Sequence, residues 1–275
     1  MKIGIVGLGL MGGSLGLALK HTKLVSSICG YDYNLTHCKE ALELGLVSEI
    51  VSFEEIKQCD VIVLAIPVEG IIKALKSLED VDQNTTIIDL GSTKEQIINS
   101  VPKKIRKNFV AGHPMAGTEK FGPKAAIEGL YDNAVMVFCN LESSGDLHKQ
   151  RAIQLFSHIG MKVFFMDATN HDRHASFISH LPHALSYALA RSVMNQEDPK
   201  SILILAGGGF EDMSRIAKSS PRMWSDIFKQ NKNNLLKSID VFQEELEYSK
   251  KLIKDEKWDE LSSWMHEATK LHNIL

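Results

Sequence analysis

The opening of the chain constrains it most. Met1 to Gly13 reads Met-Lys-Ile-Gly-Ile-Val-Gly-Leu-Gly-Leu-Met-Gly-Gly, with Gly7, Gly9 and Gly12 in the G-x-G-x-x-G spacing. Ile3, Ile5 and Val6 form the short apolar run of a buried parallel strand, and Ser14 to Lys20 continue as a helix. Each glycine has its own reason. Gly7 permits the tight turn out of the strand, Gly9 lets a pyrophosphate approach the backbone, and Gly12 lets the helix pack closely on the strand. Leu8, Leu10 and Met11 complete the loop expected to hold the cofactor, where helix N–H groups and the positive dipole end face the phosphates. A second strand, Ser27 to Tyr31, ends in Asp32, twenty positions after Gly12. An acid at that distance holds the adenine ribose hydroxyls. It would also repel a 2′-phosphate, so the expected cofactor is NAD rather than NADP.

The next stretch alternates strands and helices. Asn34 caps a helix to about Leu44 that Gly45 ends, and Ser52 to Gln58 is a short helix. Asp60 to Pro67 is an apolar strand stopped by proline, whose end places Ala65, Ile66 and Pro67 along the adenosine side of the cofactor. A helix over Glu69 to Leu78, a strand over Thr85 to Leu90 and a helix from Gly91-Ser-Thr-Lys94 to about Arg106 follow. Further strands begin at Phe109, Ala134 and Lys162, with a helix over Leu147 to Ile159. This is the pattern of an open, mostly parallel sheet covered on both faces. From Asp167 onward only helical periodicity remains, with a kink expected at Pro182, a break at Gly207-Gly208-Gly209 and a helix starting at Pro221. The expected fold is α/β: a Rossmann-type dinucleotide-binding domain over 1–166 and an all-α domain over 167–275. That second half is too apolar for a lone appendage, so its exposed faces are expected to meet another subunit, giving a homodimer.

Composition excludes other classes. A net charge of −3 over 275 residues gives no basic footprint for nucleic acid. No apolar run approaches a membrane span, and the N-terminus enters a strand directly, without a signal peptide. Cys29, Cys38, Cys59 and Cys139 are scattered, without C-x-x-C pairs. A reducing cytoplasm is the expected setting.

Three clusters carry chemistry. Ser92 stands at a strand's C-terminal end, where open α/β sheets bind ligands; it can cap the next helix, bond a substrate, or both. His113 lies in Gly-His-Pro-Met-Ala-Gly-Thr-Glu, placed by the glycines and Pro114 on a rigid, close-approach turn. Oxidation of a hydroxyl needs a base near neutral pKa, and imidazole supplies it. In the helical half, His180 and His183 share one helix face, but no carboxylate or cysteine has matching spacing, so no metal site is expected. Arg215 is a fork-shaped partner for a substrate carboxylate, or a surface residue paired with Glu211 or Asp212.

With these motifs in order, the chain resembles the prephenate/arogenate dehydrogenase family. The resemblance rests on Gly-Leu-Gly-Leu-Met-Gly-Gly-Ser-Leu from Gly7, Gly-Ser-Thr-Lys from Gly91 and Gly-His-Pro-Met-Ala-Gly-Thr-Glu from Gly112. Ser-His-Leu-Pro-His-Ala from Ser179, Gly-Gly-Gly-Phe-Glu-Asp-Met-Ser-Arg-Ile-Ala from Gly207 and Met223-Trp224 complete it, spanning nearly the whole chain. It implies NAD-dependent oxidative decarboxylation of prephenate to 4-hydroxyphenylpyruvate on the route to tyrosine. By analogy His113 takes the ring hydroxyl proton, and Ser92 bonds that hydroxyl and helps hold His113. Arg215 grips a substrate carboxylate, His183 positions the substrate, Glu119 gates or orients, and Gly208 and Asp212 join the substrate site. Members of the family often carry a basic residue where Glu211 stands. With no mutase segment before Met1 and little chain beyond the helical half, a monofunctional enzyme is expected. A 3-hydroxyisobutyrate-type dehydrogenase would carry a helical Gly-x-x-x-Lys-x-x-x-Asn pattern, absent between Asp167 and Leu205. An NAD-sensing regulator would need an output module for which 275 residues leave no room. Prephenate and arogenate differ only in a keto or amino side chain, which no residue here distinguishes.

Overall fold

The computed structural model describes residues 1–274. Strands and helices alternate through the first half. β1 (Lys2–Val6), α1 (Leu10–Leu19), β2 (Ser27–Tyr31), α2 (Leu35–Glu43), β3 (Glu49–Ile50), α3 (Phe53–Ile56) and β4 (Val61–Leu64) come first. α4 (Val68–Ser77), β5 (Thr86–Asp89), α5 (Glu95–Asn99), β6 (Phe109–Met115), β7 (Val135–Cys139), α6 (Asp146–His158) and β8 (Lys162–Met166) complete the sheet half. The strand order is β3-β2-β1-β4-β5-β6-β7-β8. Neighbours are parallel except β6 and β7, which run antiparallel with His113 opposite Val137. Period-two alternation feeds two cores, as expected of strands buried on both faces. Val61 and Val63 join Ile3, Ile5, Leu15 and Phe156 on one side. Ile62 and Leu64 join Ile71, Leu75, Ile87 and Phe109 on the other.

The glycine loop is held by contact rather than by flexibility. Gly7 sits at φ +94°, and a Cβ there would lie 2.4 Å from the Ala65 carbonyl oxygen. A Cβ on Gly12 would lie 1.9 Å from the Gly7 carbonyl oxygen, and one on Gly16 1.9 Å from that of Leu46. α1 therefore packs backbone to backbone, which only glycine permits.

The helical half comprises α7 (Ala168–Ala175), α8 (Leu181–Met194), α9 (Pro199–Ile204), α10 (Gly208–Arg215), α11 (Pro221–Gln230), α12 (Lys232–Lys254) and α13 (Trp258–Thr269). The sheet ends at Met166, and Asp167 caps α7 by accepting from the Asn170 N–H at 2.8 Å.

Several elements differ from their sequence expectation. α1 starts at Leu10 rather than Ser14, because helical geometry begins inside the glycine loop. β3 is too short to announce itself by alternation. The helix expected to reach Arg106 stops at Asn99 and resumes as a 3-10 turn over Lys103–Ile105, because Pro102 cannot continue the N–H ladder. Where a kink is expected at Pro182, the chain forms a π-helical segment, Ser176–His180, that ends two residues before the proline. It joins α7 to α8 and leaves Pro182 in the first turn of α8. Among the described residues no helix is long and apolar enough to cross a membrane.

Gly16→Ala is expected to lower unfolding stability by about 1–3 kcal/mol, because the methyl group must displace backbone rather than a side chain. Urea unfolding measures it, and an unchanged midpoint would contradict the close packing of α1.

Candidate active site

At the phosphate end, Gly9 precedes α1 and has no side chain to cap it, so the first N–H groups of the helix are left for a ligand. Space for that ligand is present, since a Cβ on Gly9 would meet only the Gly122 nitrogen, at 3.9 Å. Leu8 is different from its loop neighbours: its side chain is buried and its N–H donates to Asp32 Oδ2 at 2.9 Å. It shapes the loop through Asp32 rather than by offering a free donor. Asp32 Oδ1 accepts from the Asn34 N–H at 2.9 Å, and His37 lies 3.5 Å from Oδ2. The carboxylate thus fixes the loop while keeping acceptor capacity for a hydroxyl. Leu10 is buried, Met11 is half-buried, and the Met11 carbonyl accepts from Tyr131 Oη at 2.8 Å. Ala65, Ile66 and Pro67 follow β4, with Ala65 and Ile66 against Gly7 and Pro67 exposed.

His113 stands inside β6 rather than after it; the strand runs on through Pro114 to Met115 against β7. Its position is set by a buried ion pair. Lys94 Nζ, with no solvent exposure, pairs with Asp89 and donates to the Gly112 carbonyl at 2.6 Å. The Asp89 carboxylate accepts the N–H groups of Gly91 (3.0 Å) and Gly112 (3.2 Å). Burial pushes the Asp89 carboxyl up, against the Lys94 charge and these donors, which all pull it down. A Cβ on Gly112 would lie 2.3 Å from Met136 Cε and 3.1 Å from the Asp89 carbonyl oxygen, so the strand is tightly packed at this point.

His113 Nδ1 is 2.8 Å from His171 Nε2, and His171 Nδ1 is 2.8 Å from Asp172 Oδ1. Sequence reasoning missed both, because α7 lies more than fifty residues away. The one available signal was a His-Asp pair just inside a capped helix. Ser92 makes no hydrogen bond within the protein and does not cap α5; the Lys94 and Glu95 N–H groups donate to Asp172 instead, at 2.8 and 3.0 Å. Ser92 is half-buried, its hydroxyl free for a ligand.

From the helical half, Arg215 Nη1 donates to Glu119 Oε2 at 3.0 Å, rather than to Glu211 or Asp212. Gly208 and Asp212 lie exposed on α10, and a Cβ on Gly208 would meet nothing within 4 Å. His183 stacks on Trp224 with ring centroids 3.5 Å apart, and its Nδ1–H donates to the Ser179 carbonyl at 2.9 Å, leaving Nε2 as an acceptor. His180 is fully buried beside the same indole, and its Nδ1 accepts from Asn231 Nδ2 at 3.1 Å. Among the described residues no three His, Cys, Asp or Glu side chains converge as a metal-binding group.

Burial favours the neutral form of His113, His180 and His183. His113 is kept well below its ordinary value by burial first, then by His171, Lys94 and His180. Burial is also the leading cause for His180, pushed down to about 4, and for His183 and His148. The unfolded chain therefore binds protons the fold refuses. Stability is full above about pH 6.5 and drains as pH falls toward 4. Urea unfolding across that range is expected to show falling stability, with a shallower slope in His180→Gln. A flat profile would mean that these rings are not desolvated.

Comparison with known proteins bears on what such a site does. Residues 15–165 match the family model for the nucleotide-binding domain of prephenate dehydrogenase, and residues 167–267 match the one for its dimerization domain. The chain is 30% identical to the prephenate dehydrogenase of Bacillus subtilis over 96% of its own length and 73% of that protein's. A solved structure of prephenate dehydrogenase from A. aeolicus, in complex with hydroxyphenyl propionate and NAD+, is similar at a TM-score of 0.93 and 32% identity. That likeness covers 100% of this chain and 98% of the other. The Synechocystis arogenate dehydrogenase structure is similar at 0.81 and 28% identity, covering 99% of each chain. The chain belongs to the prephenate dehydrogenase family.

Proposed function

We propose that this member of the family oxidises prephenate to 4-hydroxyphenylpyruvate and carbon dioxide with NAD as hydride acceptor, with His113 taking the ring hydroxyl proton. One observation carries the reading. The strand that bears His113 leads into a connection pinned on the glycine loop, so base and cofactor site share one rigid frame. Within it Tyr131 Oη donates to the Met11 carbonyl, and the Ile127 N–H donates to Ser14 Oγ at 2.9 Å. The protein also resembles a prephenate dehydrogenase structure holding NAD+ and a hydroxyphenyl compound.

The uncapped start of α1, with Gly7, Gly9, Leu10, Met11 and Gly12, holds the pyrophosphate, and Asp32 holds the adenine ribose. Leu8 supports that grip through Asp32. Ala65, Ile66 and Pro67 flank the adenosine. Bound NAD supplies the acceptor for the hydride leaving the ring carbon. His113 Nε2 takes the hydroxyl proton as that carbon is oxidised, and Ser92 bonds the same oxygen. The ring carboxylate leaves as carbon dioxide, and its electron pair restores aromaticity. The net reaction releases no proton, so His113 returns its proton to the phenolate oxygen. Arg215, with Asp212 and Gly208 on its helix, and with Glu119 and His183, fixes a dianionic substrate. Residues 1–166 form the cofactor domain and 167–275 the substrate and dimer domain. The buried free cysteines fit a reducing cytoplasm.

Purified enzyme with NAD is expected to form NADH from prephenate, and His113→Asn to lose about 10²–10⁴-fold in kcat while still binding NAD. Arogenate turnover alone would move the side-chain assignment; undiminished His113→Asn would remove the base. The helical half exposes Leu205 (85%) and Trp258 (57%), surface suited to a second copy. Light scattering at micromolar concentration is expected to return the mass of two chains, and a single-chain mass would overturn the dimer.

A further inference from the structure

The geometry points to a positioning relay behind the base: His171 and Asp172 fix the tautomer of His113, so that its bare nitrogen is Nε2. The inference rests on the base assignment above and adds the groups that make the base usable.

The hydrogen-bond donors determine the direction. Asp172 accepts the N–H groups of Lys94 and Glu95. Those bonds leave its carboxylate an acceptor, so the 2.8 Å contact with His171 Nδ1 is donated by the imidazole. A neutral His171 that carries its proton on Nδ1 presents a lone pair at Nε2. The 2.8 Å contact between His171 Nε2 and His113 Nδ1 is then donated by His113. A neutral His113 protonated at Nδ1 has its lone pair on Nε2, the nitrogen left for substrate. The opposite tautomer would set two lone pairs against each other at His113 Nδ1 and His171 Nε2.

Burial makes the arrangement stiff. His171 and Asp172 are each 2% exposed, so water does not offer either ring an alternative partner. Asp172 is held again through its backbone, whose carbonyl accepts from Asn231 Nδ2 at 2.6 Å. When His113 takes a proton at Nε2, its Nδ1–H bond to His171 strengthens, and the charge is shared toward the Asp172 carboxylate. The relay comes from α7 and the base from β6, so the helical half contributes to the chemistry as well as to substrate binding.

Selective ¹⁵N labelling of histidine tests the tautomer in the full-length wild-type enzyme, with His113→Asn identifying the signal. The expected pattern is His113 and His171 both protonated on Nδ1; His113 protonated on Nε2 would overturn the relay. Kinetics with prephenate and NAD give the second arm. His171→Leu removes the acceptor and is expected to lower kcat by about 10²-fold or more, with KM within about twofold and the Nδ1–H signal lost. His171→Gln, whose amide oxygen can accept the same proton, is expected to regain most of both. Unchanged kcat in a folded His171→Leu enzyme would overturn the proposal. If His113→Asn were itself harmless, the base reading would fail first; if only His171→Leu were harmless, the base would stand and the relay fall.

Discussion

The site depends on a charge that never reaches water. Lys94 brings an ammonium group into the middle of the sheet half, where it meets Asp89 and the Gly112 carbonyl. A buried pair of this kind gives little net stability, but removing one partner strands the other at a cost of about 3–5 kcal/mol. Its value here is geometric. Asp89 ends β5 and Gly112 immediately precedes the base within β6, so the pair locks these two neighbouring strands to the start of α5. The strand carrying His113 cannot shift in register without breaking the two polar contacts at Gly112, its carbonyl to Lys94 and its N–H to Asp89, which have no solvent to replace them.

The start of α5 is also where the two halves of the molecule meet. A helix of five residues has little intrinsic stability and no cap of its own. Asp172 supplies the cap from α7 and in the same carboxylate receives His171. One acidic group thus completes a helix in one half and orients a ring in the other. Arg215 and Glu119 bridge the halves a second time, near the surface. The inner bridge is dry and rigid; the outer one is wet, and screened pairs of that kind contribute about 0–1 kcal/mol.

What the sequence made legible was local. The glycine loop, Asp32, the cap at Asn34, the short helix near Ser52, and the chain's turn from strands to helices at Met166 all follow from residues close together in the chain. His113 stood out because its glycine and proline neighbours are themselves unusual. The fold class and the family were readable for the same reason: each motif is a contiguous phrase. His171 and Asp172 were not readable, because their meaning arises only when α7 folds onto the end of the sheet. α5 was overextended because its apolar spacing continues past the proline that stops it, and the π segment has no residue signature beyond the proline that follows. Ser92 looked like a cap by position, yet the cap came from elsewhere in the chain.

The reversal of direction between β6 and β7 has a consequence for how such a molecule can vary. A connection between antiparallel neighbours is ordinarily where length changes accumulate, since its tip is free in solvent. Here residues 116–134 leave the strand of the base, cross the start of α1 and return by way of Ile127 and Tyr131, both bonded to that helix. Insertions there would not simply lengthen a loop; they would pull the base and the phosphate cradle out of step. The segment behaves as a ruler between the two, and its length is as much a part of the site as any side chain it carries.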